Sequence, residues 1–490
     1  MNLRTLAVLA ALALGLGGFI FFVERDLPSS DERREQATRV LDLAADGLDT
    51  EDIVSVELEA AERRIILERV PEPETETTND GEAEAVADGL DLTLDGAAGG
   101  WRVVEPFDAP ADGAQVRSLL DRLSELRHDR ELGAADPADD AAMGFDAPRA
   151  VARLSAADAP PVEIVFGAEL ALGGGVLVET GGMRYEAFGA DLVETIARDP
   201  SAWRDPTLLR GVRTRLSSIR LEPADPLAPA VVLERHEERG YRISEPIQDV
   251  ADPQEVDRLL GALDGLAAQR FLDEAPAEAN TGGRLGLVLE GRAEPLDIAF
   301  GAPISVGSAN RLAEVDGQFV EIDAPAVVEA LGLAPAGWRS RALAPVQVFS
   351  LDAAIVRTAD GELSLTRGER DWTRSLDGGA PEAIDYGVAS DLLYAVAEAR
   401  ALEVTPDSAR RATLGEPQLE IQLVGDDEPL EIALYSAADG RQPATVSGRE
   451  VVLELEAETG RQIVTALSAL RQAPPLATDA ADEAPAVEAP

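Results

Sequence analysis

The chain has 490 residues, enough for two to four domains with cores of their own. Its 92 acidic against 43 basic residues give a formal net charge of −49, which argues strongly against nucleic-acid binding and against docking of the body on anionic lipid. There is no cysteine, so disulfides, thiolate catalysis, zinc–thiolate sites and iron–sulfur clusters are excluded as well. Every basic residue is arginine, a pattern that high-GC coding or selection for high salt would each produce. Aromatics are 4 % of the chain, so its cores must rest on Leu, Val, Ile and Ala.

Leu6 to Val23 is an unbroken run of 18 uncharged residues. As a helix it would be about 27 Å long, close to the hydrocarbon thickness of a bilayer. The run ends in Phe19-Ile20-Phe21-Phe22-Val23, which suits an interfacial aromatic belt better than a peptidase site. Residues 1–23 are therefore expected to be a membrane anchor, with a cleaved signal peptide as the alternative. Arg25, Arg33, Arg34 and Arg39 flank its C-terminal side, which by the positive-inside rule favours a cytoplasmic body. A short N-terminal tail before a large body is instead the form of an export anchor. The expectation is a single-pass cell-membrane protein with an extracytoplasmic, periplasmic body. Residues 24–49 read as a polar linker with a short helical stretch over Arg33 to Ala45.

Three copies of one pattern follow. Each has an aromatic strand, a capped helix and a proline-led strand. Trp101 to Pro106 and Tyr241 to Pro246 share an aromatic-Arg start and a Glu-Pro end, and Trp372 to Asp377 is a weaker third copy. Asp112, Asp252 and Asp385 are the expected helix N-caps, with leucine stripes such as Leu119, Leu120 and Leu123 behind them. The proline-led strands start at Pro161, Pro295 and Pro429, two equal steps of 134 residues. Equal spacing at this scale means a duplicated module. Hairpins with turns at Gly181-Gly182, Asp316-Gly317 and Ser447-Gly448, then second helices near Asp191–Ala197, Ala324–Leu331 and Glu458–Leu470, complete each copy. Modules one and two end in Trp203-Arg204 and Trp338-Arg339; module three has no such tryptophan.

The fold class expected is α+β: an N-terminal transmembrane helix, then three tandem modules of antiparallel strands with two packed helices each. The modules are placed at 50–210, 211–345 and 346–472, the last divergent. Residues 71–89 read as a disordered insert and 473–490 as a disordered acidic tail.

No reactive constellation is legible. His128 and His236 sit in charged stretches at non-equivalent places and read as surface histidines. Asp136, Asp139 and Asp140 are the nearest approach to a calcium cluster, but lack the loop spacing and glycine of such a site. Without lysine a phosphate loop of the Walker type is impossible. A glycosidase would need two carboxylates in one cleft with aromatic platforms, and aromatics are scarce. Catalytic, cofactor and metal residues are accordingly expected to be absent. The recurring Trp101, Tyr241, Trp372, Trp203 and Trp338 are the candidate ligand or packing aromatics. A regularly placed aromatic before a helix more often packs that helix on its sheet than lines a ligand groove.

The order of features resembles the domain-of-unknown-function family 4340. The residues that carry it are Phe21-Phe22-Val23-Glu24, Arg39-Val40-Leu41-Asp42 with Glu51-Asp52-Ile53-Val54, the Trp101 to Pro106 strand, Gly144-Phe145-Asp146-Ala147-Pro148, Phe166-Gly167 and Trp203-Arg204-Asp205. The family's usual Tyr-Gly-Leu-x-x-Pro stands here as Met143 to Pro148, a departure. The resemblance implies a membrane-anchored, extracytoplasmic accessory protein, often encoded beside ABC-type or gliding-type transporter subunits. It brings no catalytic residues and no cofactor. The expected function is a non-catalytic, membrane-anchored scaffold with transporter subunits as its partners. The alternative is an extracytoplasmic glycan- or peptide-binding module protein.

Overall fold

The structure is a computed structural model that describes residues 38–41, 49–71, 100–157, 159–171, 174–236, 240–272, 274, 281–368, 371–406, 410–425 and 428–476. The expected anchor, most of the linker, all but Pro71 of the insert 71–89 and the tail beyond Leu476 lie outside the described residues. Among the described residues no helix is long and apolar enough to cross a membrane. The chain divides into two compact units, Met1–Leu208 and Leu209–Pro490.

The first unit is built on one nine-stranded antiparallel sheet. Its strands are β1 (Ile53–Ala60), β2 (Arg63–Arg69), β3 (Trp101–Glu105), β4 (Ala109–Ala111), β5 (His128–Ala134), β6 (Ala150–Ala156), β7 (Val162–Glu169), β8 (Val176–Thr180) and β9 (Met183–Ala187). Their order is β4-β3-β2-β1-β6-β7-β8-β9-β5. Two four-strand meanders thus meet at β1 and β6, and the chain crosses through helix α1 (Gly113–Ser124) to lay β5 beside β9. Helix α2 (Ala190–Ile196) follows β9.

The alternation along β1 shows why the sheet is two-faced. Val56, Leu58 and Ala60 are buried while Glu57 and Glu59 lie on the other face. Val116, Leu119, Leu120 and Leu123 of α1, with Leu192, Val193 and Ile196 of α2, join the buried sheet face in one core. The opposite face carries ion pairs: Arg64 to Glu57 at 2.6 Å, and Arg153 to Glu57 and Glu59 at 3.1 Å each. Helices on one face and a solvated ladder on the other make a two-layer unit.

The second unit repeats this twice. Its first sheet holds β10 (Leu216–Glu222), β11 (Val231–His236), β12 (Gly240–Glu245), β13 (Asp249–Val250), β14 (Ala268–Leu272), β15 (Arg284–Leu289), β16 (Leu296–Pro303), β17 (Asn310–Val315) and β18 (Gln318–Asp323), with helices α3 (Pro253–Asp264) and α4 (Pro325–Gly332). Its second sheet holds β19 (Leu351–Thr358), β20 (Gly361–Arg367), β21 (Trp372–Leu376), β22 (Glu382–Ile384), β23 (Ala401–Pro406), β24 (Leu419–Gly425), β25 (Leu430–Leu434), β26 (Arg441–Val446) and β27 (Val451–Glu456), with α5 (Tyr386–Ala397) and α6 (Ala457–Gln472). Strand order is the same in all three sheets. The side chains of Asp112, Asp252 and Asp385 accept hydrogen bonds from the first-turn amides of α1, α3 and α5.

Two closing devices recur. The segment after the second helix runs along the short edge strand. Trp203 O accepts from Asp112 N at 2.8 Å, and Asp205 N donates to Pro110 O at 2.9 Å. Trp338 O with Asp252 N and Val250 O with Ser340 N repeat this at 2.7 and 2.9 Å. Module three does it without a tryptophan. Leu476 N donates to Ala383 O at 2.8 Å, and buried Arg374 donates to the carbonyls of Leu470, Arg471 and Ala473 at the end of α6. The second device precedes the module: Val40 N donates to Leu126 O at 2.8 Å, and Leu343 N to Ala399 O at 2.8 Å. Thr38 to Leu41 are therefore an extended partner of the chain leading into β5, not the helix expected over Arg33 to Ala45, and Val40 and Leu41 are core residues.

Candidate functional site

Across the second and third strands of each sheet an arginine faces the recurring aromatic. The pairs are Arg69 with Trp101, Arg235 with Tyr241 and Arg367 with Trp372. The Arg69 and Arg367 guanidinium carbons lie 5.3 and 5.8 Å from the ring centroids of Trp101 and Trp372. The same arginines reach back to the helical turn before the first strand, Arg69 to Glu51 O, Arg235 to Thr214 O at 2.9 Å and Arg367 to Phe349 O. Each module thus pins its first strand, second strand and aromatic strand with one guanidinium.

The five candidate aromatics are placed differently. Trp101, Trp203, Trp338 and Trp372 are at most 3 % exposed, so their ring faces are core contacts. Tyr241 is half-buried. Its hydroxyl donates to Leu216 O at 3.1 Å, and burial pushes its phenol above the ordinary range against the opposing pull of Arg235. Where its counterparts are sealed by core, Tyr241 faces a cleft of roughly 790 Å³ between the two sheets of the second unit. A second cavity of roughly 580 Å³ adjoins it, and Val250, Pro345, Val346 and Gln347 line both.

The walls of these cavities are held by a buried charge cluster. The β26–β27 turn of the third module docks on the β12–β13 edge of the second. Arg449 donates through Nε to Asp249, and through its terminal nitrogens to Ala342 O at 2.9 Å and Ser340 O at 2.6 Å. Arg449 and Asp249 are 1 % and 0 % exposed, and Arg339 Nε stands 3.7 Å from the other Asp249 oxygen. Glu450 N donates to Gln248 O at 2.8 Å beside them. Sequence reading missed this cluster because its members are 200 residues apart. One signal was present: Asp249 occupies the inward edge-strand position that Ala109 fills in the first sheet.

Five arginines line the two cavities against three carboxylates. Arg449 is taken up by Asp249. Arg213 is paired with Asp264 at 2.8 Å and lies 3.7 Å from Asp257. Asp252 spends its carboxylate capping α3. Among the described residues Arg235 and Arg242 bond only backbone carbonyls, and Arg400 carries no side-chain partner.

The other polar candidates are accounted for elsewhere. His128 is half-buried and stacked on Tyr185 at 5.0 Å rather than exposed; His236 is exposed. Asp136 caps a turn by accepting from Ala138 N at 3.0 Å. Asp140 pairs with Arg184, which also bonds Glu179 at 2.8 Å and Asp136 O at 3.0 Å, with its guanidinium 4.6 Å from the Phe145 ring. That cluster fixes the Gly144-Phe145 motif. A Cβ at Gly144 would stand 2.9 Å from Ala168 N, and one at Gly167 2.5 Å from Met143 O. The two motifs are thus one close backbone contact. Among the described residues no group of three His, Asp or Glu side chains is placed to hold a metal ion.

No curated protein matches the chain significantly. The stretch from the start of β3 to just before β15, including Trp101, Trp203 and Tyr241, matches a family model. Residues 101–282 match the family model DUF4340, a domain of unknown function.

Proposed function

We propose that the chain is a non-catalytic, membrane-anchored extracytoplasmic scaffold that assembles with a membrane transport complex. The observation that carries this reading is the fusion of two sheets into one unit by the buried Arg449–Asp249 pair, which leaves a fixed, open cleft between them. A rigid surface with fixed cavities suits assembly. Several described carboxylates support the same reading: Glu57 and Asp140 are engaged in arginine pairs and Asp252 in a helix cap. The anchor at residues 6–23 rests on hydropathy alone. The test is purification of the full chain from membranes in mild detergent. Recovery of transporter subunits in fixed ratio is the expected result; recovery of the chain by itself overturns the proposal.

A second reading, an extracytoplasmic glycan- or peptide-binding protein, is favoured by one observation: Tyr241 is half-exposed in a cleft where its counterparts are buried. A Tyr241→Ala chain that stays folded and keeps its ligand would overturn that version.

A further inference from the structure

We infer that the paired cavities between the second and third sheets form a groove for an extended acidic peptide segment of a partner protein. This rests on the scaffold reading above and names the chemistry of the partner. Three observations carry it. Arg235 and Arg400 line the larger cavity and Arg242 the smaller, so uncompensated guanidinium groups are spread over both. Planar guanidinium groups bind carboxylates with two parallel hydrogen bonds. The cavities adjoin across Val250, Pro345, Val346 and Gln347, so a ligand that meets all three arginines must be elongated and carry several carboxylates. A small dicarboxylate can satisfy only one chamber. Tyr241 adds a rigid ring with an apolar face at the wall of the larger chamber.

The net charge of −49 does not forbid this. At physiological ionic strength the screening length is about 8 Å, so the charges that line the groove decide the local field and distant ones do not. Of the three acidic side chains that line it, Asp252 is committed to a cap, Asp257 lies beside Arg213, and Glu428, at the smaller chamber, is exposed and engaged in an interaction of its own. A groove at the seam of two rigidly joined modules is also where ligand sites are most often found, and its chambers have ordinary binding-site volumes.

The probe is a fluorescently labelled hexaglutamate peptide, added to the full chain in mild detergent and read by anisotropy. Hexaglutamine and succinate serve as comparisons. Hexaglutamate should bind, hexaglutamine should not, and affinity should fall as salt is raised. Arg235→Gln, Arg242→Gln and Arg400→Gln together should weaken binding by at least about tenfold. Arg400→Gln alone removes a side chain that holds nothing in the fold, so its effect is free of unfolding. Equal binding of the two peptides, absence of hexaglutamate binding, or unchanged affinity in Arg400→Gln and the triple variant would each overturn the inference. Competition by succinate at concentrations equal to the peptide would overturn the extended-ligand form. Hexaglutamate binding without transporter subunits in the membrane preparation would remove the scaffold partner while leaving the groove; the converse would remove the groove alone.

Discussion

The guanidinium of Arg69 lies 5.3 Å from the ring centroid of Trp101, the residue directly opposite it across β2 and β3. The relationship recurs at Arg367 and Trp372. Three loose ends meet there: a helical turn with free carbonyls, the end of a strand and a large ring that must be buried.

Truncating the ring removes the largest of these contributions. Trp101→Ala should destabilise the first unit by about 3–5 kcal/mol. Arg69→Leu keeps the stem packing and loses the cation–π contact and the bond to Glu51, and should cost about 1–3 kcal/mol. Urea unfolding of the full chain checks both. Trp372→Ala should instead act on the transition of the second unit, since Trp372 belongs to the third core. An equal effect of both tryptophan variants on a single transition would contradict the division into two units.

The glycines of the two family motifs make a sharper test. Gly144 has φ of +75° and its Cβ would meet Ala168 N at 2.9 Å; Gly167 has ordinary φ, but its Cβ would meet Met143 O at 2.5 Å. Gly181, in the β8–β9 turn, has φ of +55° with open space around it. Gly181→Ala should therefore cost only the left-handed strain, about 1–2 kcal/mol. Gly144→Ala adds a backbone clash to that strain, and Gly167→Ala has the clash alone. Both should cost more than Gly181→Ala, as read by thermal unfolding of the three variants side by side.

Much of this fold was legible because its signals are local. The three helix caps, the leucine stripes and the glycine-bearing hairpin turns are set by residues a few positions apart, and Asp112, Asp252 and Asp385 do cap. What stayed hidden is what strands do at a distance. Nothing near His128 says that β5 will cross to pair with β9, or that Val40 will be drawn into the core from outside the expected module. The missing third tryptophan is legible as an absence, but its replacement is not. Arg374 takes over by binding the end of a helix 96 to 99 residues away. The groove is less legible still: a tyrosine in place of tryptophan does not by itself say that the ring is half-exposed.

Acid should unfold the first unit through a few named carboxylates. The Arg64 hydrogen bond holds the Glu57 carboxyl below its ordinary range against burial, with the Arg64 and Arg153 charges adding to it. Arg102 does the same for Asp108, and the Ser201 hydroxyl and amide do so for Asp199. A carboxyl whose folded value is depressed stabilises the fold above its unfolded value and loses that contribution as pH falls through the folded value. Stability of the first unit should thus be flat above roughly pH 5 and fall below roughly pH 4. Glu57→Gln should flatten this fall. High salt should shrink the Glu57 and Asp108 contributions, which rest on charge, more than that of Asp199, which rests first on Ser201.

The buried pair at the seam gives the last test. Arg449 is 1 % exposed and Asp249 is fully buried, and the arginine also satisfies Ser340 O and Ala342 O. Arg449→Met leaves the buried Asp249 carboxylate with the Val250 amide at 2.8 Å and Arg339 3.7 Å from its other oxygen as its remaining partners, and should cost about 3–5 kcal/mol. Asp249→Ala installs the residue that the first sheet already has in that position, Ala109, but strands the Arg449 charge. The double variant removes both charges from the seam. It should recover part of what either single change loses, because a buried pair is often worth no more than an apolar replacement, whereas a lone buried charge is costly. A double-mutant cycle on the unfolding of the second unit reads this coupling directly. Additive losses would mean that the two modules are held by their apolar contacts and that the ion pair is incidental to the seam. A recovered double variant that still binds hexaglutamate would show that the pair fixes the modules without touching the ligand, because Arg235, Arg242 and Arg400 stay in place.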